Sequence, residues 1–231
     1  MLNIYQTHTT TNLERLVQTS PSTYTCTHSL ARPQTVQRCV GRIKMAAIPP
    51  AASDSAPTLF TSDLSVASFN VPLGTYLESS PALQGVCVGA FVFDDADRLL
   101  LVQRAPHDSY PLQWEVPGGT IDAEDKSVLH GLVRELWEET GLWARGVSGL
   151  VGKGYTFLTR RPLCVCKYSF VVDVEAFDVK LDANEHAAFL WVTEDEAKAR
   201  KCGDVSLVYT TKNQEDAILE SFRIERAKTK A

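Results

Sequence analysis

PGGTIDAEDKSVLHGLVRELWEETGL, residues 117–142, decides how the rest of the chain is read. Leu129, Leu132, Val133 and Leu136 recur at i, i+3, i+4 and i+7, the spacing of one helix face. Gly141 suits the left-handed residue that closes a helix, and Pro117-Gly118-Gly119 supplies a tight turn before it begins. The segment predicts loop, helix, stop. Glu135, Glu138 and Glu139 share about one turn near the C-terminal end of that helix, where the macrodipole disfavours anions and like charges repel. A hard divalent cation would turn this cluster into a binding site, with Arg134 holding one carboxylate in place. A run of this kind on its own is more often a solvated acidic face. The glycine turn beside it favours a site.

These residues resemble the Nudix hydrolases, whose signature is GX5EX7REUXEEXGU with U aliphatic. Arg134 to Leu142 match REUXEEXGU at every specified position. The first half departs: the glycine expected at residue 120 is Thr120, with Gly119 nearest, and the expected glutamate falls at Lys126, just after Glu124 and Asp125. The loop between turn and helix is one residue longer, which bears on the loop and on the carboxylate that supports Arg134. The flanking pieces GVCVGAFVFDDADRLLLVQR, QWEVPGG and EHAAFLWVTEDEA extend the resemblance over residues 84–225, and the long loop is similar to that of fungal-type Nudix proteins.

The resemblance implies an α/β fold, the Nudix α/β/α sandwich with a central mixed sheet, where strand and helix pattern alone reaches only a mixed sheet between helices. It also implies hydrolysis of a diphosphate linkage in a nucleoside diphosphate derivative by water attack on phosphorus. The cofactor expected is Mg2+, with Mn2+ as the alternative, bound by Glu135, Glu138, Glu139 and the carbonyl of Gly118. Glu135 or Glu138 would accept the proton from water, and Arg134 would complete the catalytic set by orienting the carboxylates. Glu185 is the candidate for a further carboxylate. The competing reading is a non-catalytic nucleotide-binding or regulatory module, for which the longer loop is the one argument. A prenyl diphosphate isomerase of similar fold would need a catalytic cysteine and clustered histidines, and the five histidines show no such spacing. Which diphosphate is cleaved, and the oligomeric state, are not legible.

The chain has 231 residues and 44% hydrophobic content, enough for one catalytic domain, expected over residues 59–231. Residues 1–58 read as a disordered leader and linker. Residues 1–44 carry a balance of +4 against −9 for the remainder. Basic, hydroxyl-rich and acid-poor, this leader fits a mitochondrial transit peptide, plain disorder or an upstream extension before Met45, and it lacks the apolar core of a signal peptide or membrane span. The expectation is a cytoplasmic protein, or a mitochondrial one if the leader is an import signal. An acidic body argues against a nucleic-acid-coating role, and a small nucleotide-type substrate is the expected partner. Six cysteines without zinc spacing read as reduced thiols.

Along the chain, FTSDLSVASFNVPLGTYLESSPAL carries Phe60, Leu64, Phe69, Val71, Leu73 and Tyr76 and predicts an ordered arm. VCVGAFVF and LLLVQ, split by DDADR, predict a hairpin of buried strands. Arg104 then either faces a phosphate cleft or pairs at the strand end. Trp114 reads as a core anchor, His107 as solvated and His130 as helix packing. GVSGLVGKGYTFL and LCVCKYSFVVDVEA predict two more strands, with Lys153, Arg160 and Arg161 read as charges at exposed turns. EHAAFLWVT predicts another strand, followed by a short helix and a terminal amphipathic helix carrying Ile218, Leu219, Phe222 and Ile224.

Overall fold

A computed structural model describes residues 44–45 and 59–228. The expectations for the leader and most of the linker lie outside the described residues, as do Cys26 and Cys39. The elements in order are β1 (Lys44–Met45), β2 (Thr61–Ser62), a 3-10 turn (Leu64–Phe69), α1 (Leu73–Glu78), β3 (Gly85–Phe91), β4 (Leu99–Arg104) and β5 (Trp114–Glu115). There follow α2 (Val128–Thr140), β6 (Ala144–Leu158), β7 (Cys164–Val174), β8 (His186–Val192), α3 (Glu194–Ala199), β9 (Lys201–Cys202), β10 (Val205–Ser206) and α4 (Lys212–Lys228).

Among the described residues the strands make two four-stranded sheets, β2-β6-β7-β3 and β1-β8-β4-β5, with β9 and β10 as a separate small hairpin. The first is mixed: β6 and β7 are antiparallel, whereas β2 runs parallel to β6 and β3 parallel to β7. The second is antiparallel throughout. The expected hairpin between residues 86 and 103 is therefore corrected. Its turn forms, with Asp94 Oδ1 accepting from the backbone N–H of Ala96 and Arg98 at 3.0 Å each. Leu100 N–H then donates to Val92 O at 2.9 Å, but beyond that point β3 leaves to pair with β7 and β4 with β8.

Period-two alternation explains why β3 and β4 read as unbroken apolar runs. Val86, Val88, Ala90, Val92, Leu100, Phe170 and Val172 turn to the core that holds Leu129, Leu132, Val133 and Leu136 of α2. Phe91, Leu99, Leu101, Val171, Leu190 and Val192 turn to a second core that holds Ile218 and Phe222 of α4. Strands covered on both faces have no polar side to show. This is the α/β sandwich expected, with helices on both faces of the sheet layer.

α2 begins at Ser127, whose side chain accepts from His130 N–H, a cap worth about 1 kcal/mol. It ends at Gly141 in the left-handed region, φ 67°. The arm is ordered, but not through every apolar residue named for it: Leu64 is exposed, and Val66 and Phe69, three apart in the 3-10 turn, are the pair that is buried. Phe69 packs on Tyr76, Tyr168 and Phe170. Trp114 is fully buried, as expected of a core anchor. Cys87, Cys164 and Cys166 are free thiols. Among the described residues, no helix is long and apolar enough to cross a membrane.

Candidate active site

The turn and the helix meet along β3. Val88 N–H donates to Gly119 O and Ala90 N–H to Pro117 O, both at 2.8 Å, so the carbonyls on either side of Gly118 are consumed by the strand. Gly118 has φ 142°, and a Cβ there would lie 2.3 Å from Val88 O, so no other residue fits without moving the strand. Its N–H donates to Glu139 Oε2 at 2.8 Å, which ties the turn to the C-terminal part of α2. Gly119 lies against the next carboxylate back, its Cβ position 2.4 Å from Glu135 Oε2.

Arg134 sits at the centre of the acidic cluster. It donates to Asp125 through Nε and Nη2, both at 2.9 Å, to Glu135 Oε1 at 3.0 Å and to Glu138 Oε2 at 2.9 Å through Nη1, and to Thr120 O at 3.1 Å. The one-residue-longer loop is accommodated because it folds back over α2 at Gly131, where a side chain would strike Ile121 and Asp125. Asp122 N–H donates to Asp125 Oδ2 at 2.9 Å and locks the carboxylate. Asp125 therefore holds Arg134, while Glu124 and Lys126 are exposed. Arg134 outweighs the effect of burial on Asp125 and keeps its pKa below the ordinary value.

Burial, reinforced by the charges of Glu139 and Glu138, pushes the Glu135 carboxyl up to about 7 in spite of Arg134. Negative charge is thus in excess here, and the donors are carboxylate oxygens, which suits a hard divalent cation. Glu139 is buried, and Glu138 keeps 46% of its side chain exposed.

Opposite Glu139, the start of β8 brings two residues. Glu185, His186 and Glu139 each place one ligand-type atom within 4.8 Å of the others. Burial and the Glu139 charge raise the Glu185 carboxyl above its ordinary pKa. His186 Nε2 lies 3.1 Å from Glu139 Oε2. Burial would lower its pKa, but Glu139 outweighs that and raises it. The sequence reading singled out Glu185 and missed His186, although its place one residue on, at the head of a strand with Ala188, Leu190 and Val192 on its buried face, was visible.

The other expectations separate cleanly. Arg104 takes the ion-pair role: it bonds Glu115 and Asp108 and donates from Nε to Ser109 O at 2.6 Å, with Lys167 3.8 Å from the same Glu115. His130 packs, its Nδ1 2.7 Å from Ser127 Oγ and its ring edge-on to Phe60. His107, Lys153, Arg160 and Arg161 are exposed. Cys87 lies 3.5 Å from Thr120 Oγ1, and burial pushes its thiol up, away from the thiolate that a nucleophile needs.

The family model described as NUDIX domain matches residues 83–211, more than half of the chain and the whole of this site. The chain belongs to the Nudix family. It is 32% identical over 127 residues to a MutT-like protein of Streptomyces ambofaciens, covering 53% of this chain and 72% of that protein. It is 29% identical over 140 residues to a CTP pyrophosphohydrolase of Escherichia coli strain K12, covering 61% of this chain and 93% of the relative. Among solved structures, a MutT protein from Methanosarcina mazei Go1 aligns with a TM-score of 0.48 at 25% identity, covering 62% of this chain and 94% of that one. The Nudix domain described above is of the diphosphate-hydrolase type, an enzyme class that generally uses a divalent metal.

Proposed function

We propose that this chain hydrolyses a diphosphate linkage in a nucleoside diphosphate derivative, with Mg2+, or Mn2+ in its place, held by Glu135, Glu138, Glu139 and the Gly118 carbonyl. The observation that carries this reading is the meeting of the glycine turn with the acidic helix: Gly118 N–H on Glu139 and Gly119 against Glu135, beside a single guanidinium shared by several carboxylates. A divalent cation bound there would neutralise phosphate oxygens and lower the pKa of a coordinated water.

The chain's own residues divide the remaining work. Glu135 and Glu139, on α2 and held against the glycine turn, supply fixed oxygens. Glu138, half-exposed on the same face, is the carboxylate with room to accept the proton from the attacking water. Arg134, anchored by Asp125, sets the direction of Glu135 and Glu138 and does not itself react.

The non-catalytic module had the longer loop in its favour. Asp125 on Arg134 removes that argument, since the extra residue is absorbed without loss of the supporting ion pair. The name of the Escherichia coli relative supports a nucleotide substrate. The test is a Mg2+-dependent hydrolysis screen of the full chain against nucleoside triphosphates, dinucleoside polyphosphates, nucleotide sugars and ADP-ribose, with an EDTA control. Cation-dependent release of a phosphorylated product from one class is expected. Silence across the panel from a folded protein that still binds nucleotide would move the assignment to the binding module.

A further inference from the structure

The proposed cation site explains the carboxylates of α2 but leaves His186 without a role. His186 is 3% exposed, and neither ring nitrogen has a well-formed hydrogen bond among the described residues, with Glu139 Oε2 3.1 Å from Nε2. Leaving a polar group buried without a hydrogen bond costs about 1–3 kcal/mol. The position does not demand that expense: Ala188, Leu190 and Val192 fill the same face of β8 with aliphatic side chains. The groups that face the ring are acidic, Glu139 from α2, Glu115 from β5 and Glu185 from the preceding residue. A separation of 3.1 Å between nitrogen and oxygen is also close to that of two adjacent ligands on one ion, about 3 Å for bonds of roughly 2.1 Å at a right angle.

We propose that His186 is a nitrogen ligand, completing with Glu139 and Glu185 a mixed imidazole–carboxylate site for a divalent cation. The inference rests on the cation reading given under Proposed function and goes beyond it in the ligand set and in the ion preferred. An all-oxygen site suits Mg2+, whereas an imidazole shifts preference toward Mn2+, Co2+ or Zn2+. A site that draws Glu139 from the helix, His186 from the first position of β8 and Glu185 from the residue before it also clamps two separate elements through one ion.

The test is pulsed EPR on Mn2+ bound to the full-length protein. Directly coordinated imidazole nitrogen gives a 14N coupling, which must change to a 15N coupling when histidine alone is 15N-labelled. In His186→Gln the coupling should vanish and Mn2+ affinity fall at least about ten-fold, with a smaller change for Mg2+. Should that variant fail to fold, the coupling must instead survive substitution of each of the other four histidines, His8→Gln, His28→Gln, His107→Gln and His130→Gln. Mn2+ bound without histidine coupling would overturn the inference and leave the carboxylate site standing. No Mn2+ or Mg2+ binding to the folded protein would overturn both.

Discussion

Arg134 and Arg104 are both half-buried arginines tied to several carboxylates, yet they belong to different kinds of network. Arg134 stands alone against Asp125, Glu135 and Glu138, with Asp122 3.5 Å away. Arg104 faces Glu115 and Asp108 with Lys167 as a second cation. The second network closes on itself in charge and fixes the end of β4 against β5. The first does not close, and Glu135, pushed up to about 7, bears the excess. An unbalanced buried cluster is costly unless something else supplies the charge, so imbalance marks the functional site and balance marks the scaffold.

Substitutions on the two sides should behave differently. The largest effect is expected from Glu138→Gln, which keeps the shape and removes one charge from the unbalanced side: turnover should fall by about two orders of magnitude or more with the fold intact by circular dichroism. Near-native turnover would erase the distinction. Arg104→Met tests the balanced side, and should cost about 2–3 kcal/mol in denaturant unfolding while turnover changes less than about ten-fold. A collapse of turnover in a protein still folded would instead return Arg104 to the phosphate cleft. Asp125→Asn touches the unbalanced side at its anchor and should cost about 1–2 kcal/mol by the same unfolding measurement.

The smallest effect concerns pH. Glu135 has an ordinary value of 4.5 and is raised to about 7 in the folded chain. Below 4.5 it is protonated in both states and contributes nothing. As pH rises from there to about 7 the unfolded chain releases this proton while the folded chain keeps it, so this group lowers stability across that window. A bound cation favours the ionised form and offsets the loss. The rise in Tm on adding Mn2+ should therefore be about 2–4 °C greater near about pH 8 than near about pH 5.5, read by thermal unfolding. An equal rise at both values would separate Glu135 from the cation site.

Much of this was legible in the sequence where the cause is local. The face of α2, its glycine stop and the acidic turn follow from spacing within one helix, and the loop, helix and stop read there take form as a helix over Val128–Thr140 closed at Gly141. The alternating strands were legible too, but not their partners: β3 pairs in parallel with β7, far along the chain, and apolar alternation carries no register information between distant strands. That is why a turn with good local chemistry at Asp94 suggested a ladder that the fold divides between two sheets. In the arm, a six-residue list of apolar positions included Leu64 and omitted Val66, because a 3-10 turn buries residues three apart and the pattern was too short to show it.

At the site, the helix carboxylates and the Gly118 turn were readable, whereas two pairings were not. Asp125, rather than its neighbours Glu124 or Lys126, reaches Arg134 because the loop crosses the helix at Gly131. His186 meets Glu139 only when β8 is laid beside the end of α2. Both depend on tertiary placement, which residue spacing does not carry.

The most direct test of the central claim, that the unbalanced cluster is completed by a divalent cation, is calorimetric titration of Mg2+ and Mn2+ into the full chain and into the Glu135→Gln/Glu138→Gln double variant. Binding to the native chain, weakened by about a hundred-fold or more in a folded variant, is the expected result. Equal binding by both, or none by the folded native chain, would contradict it.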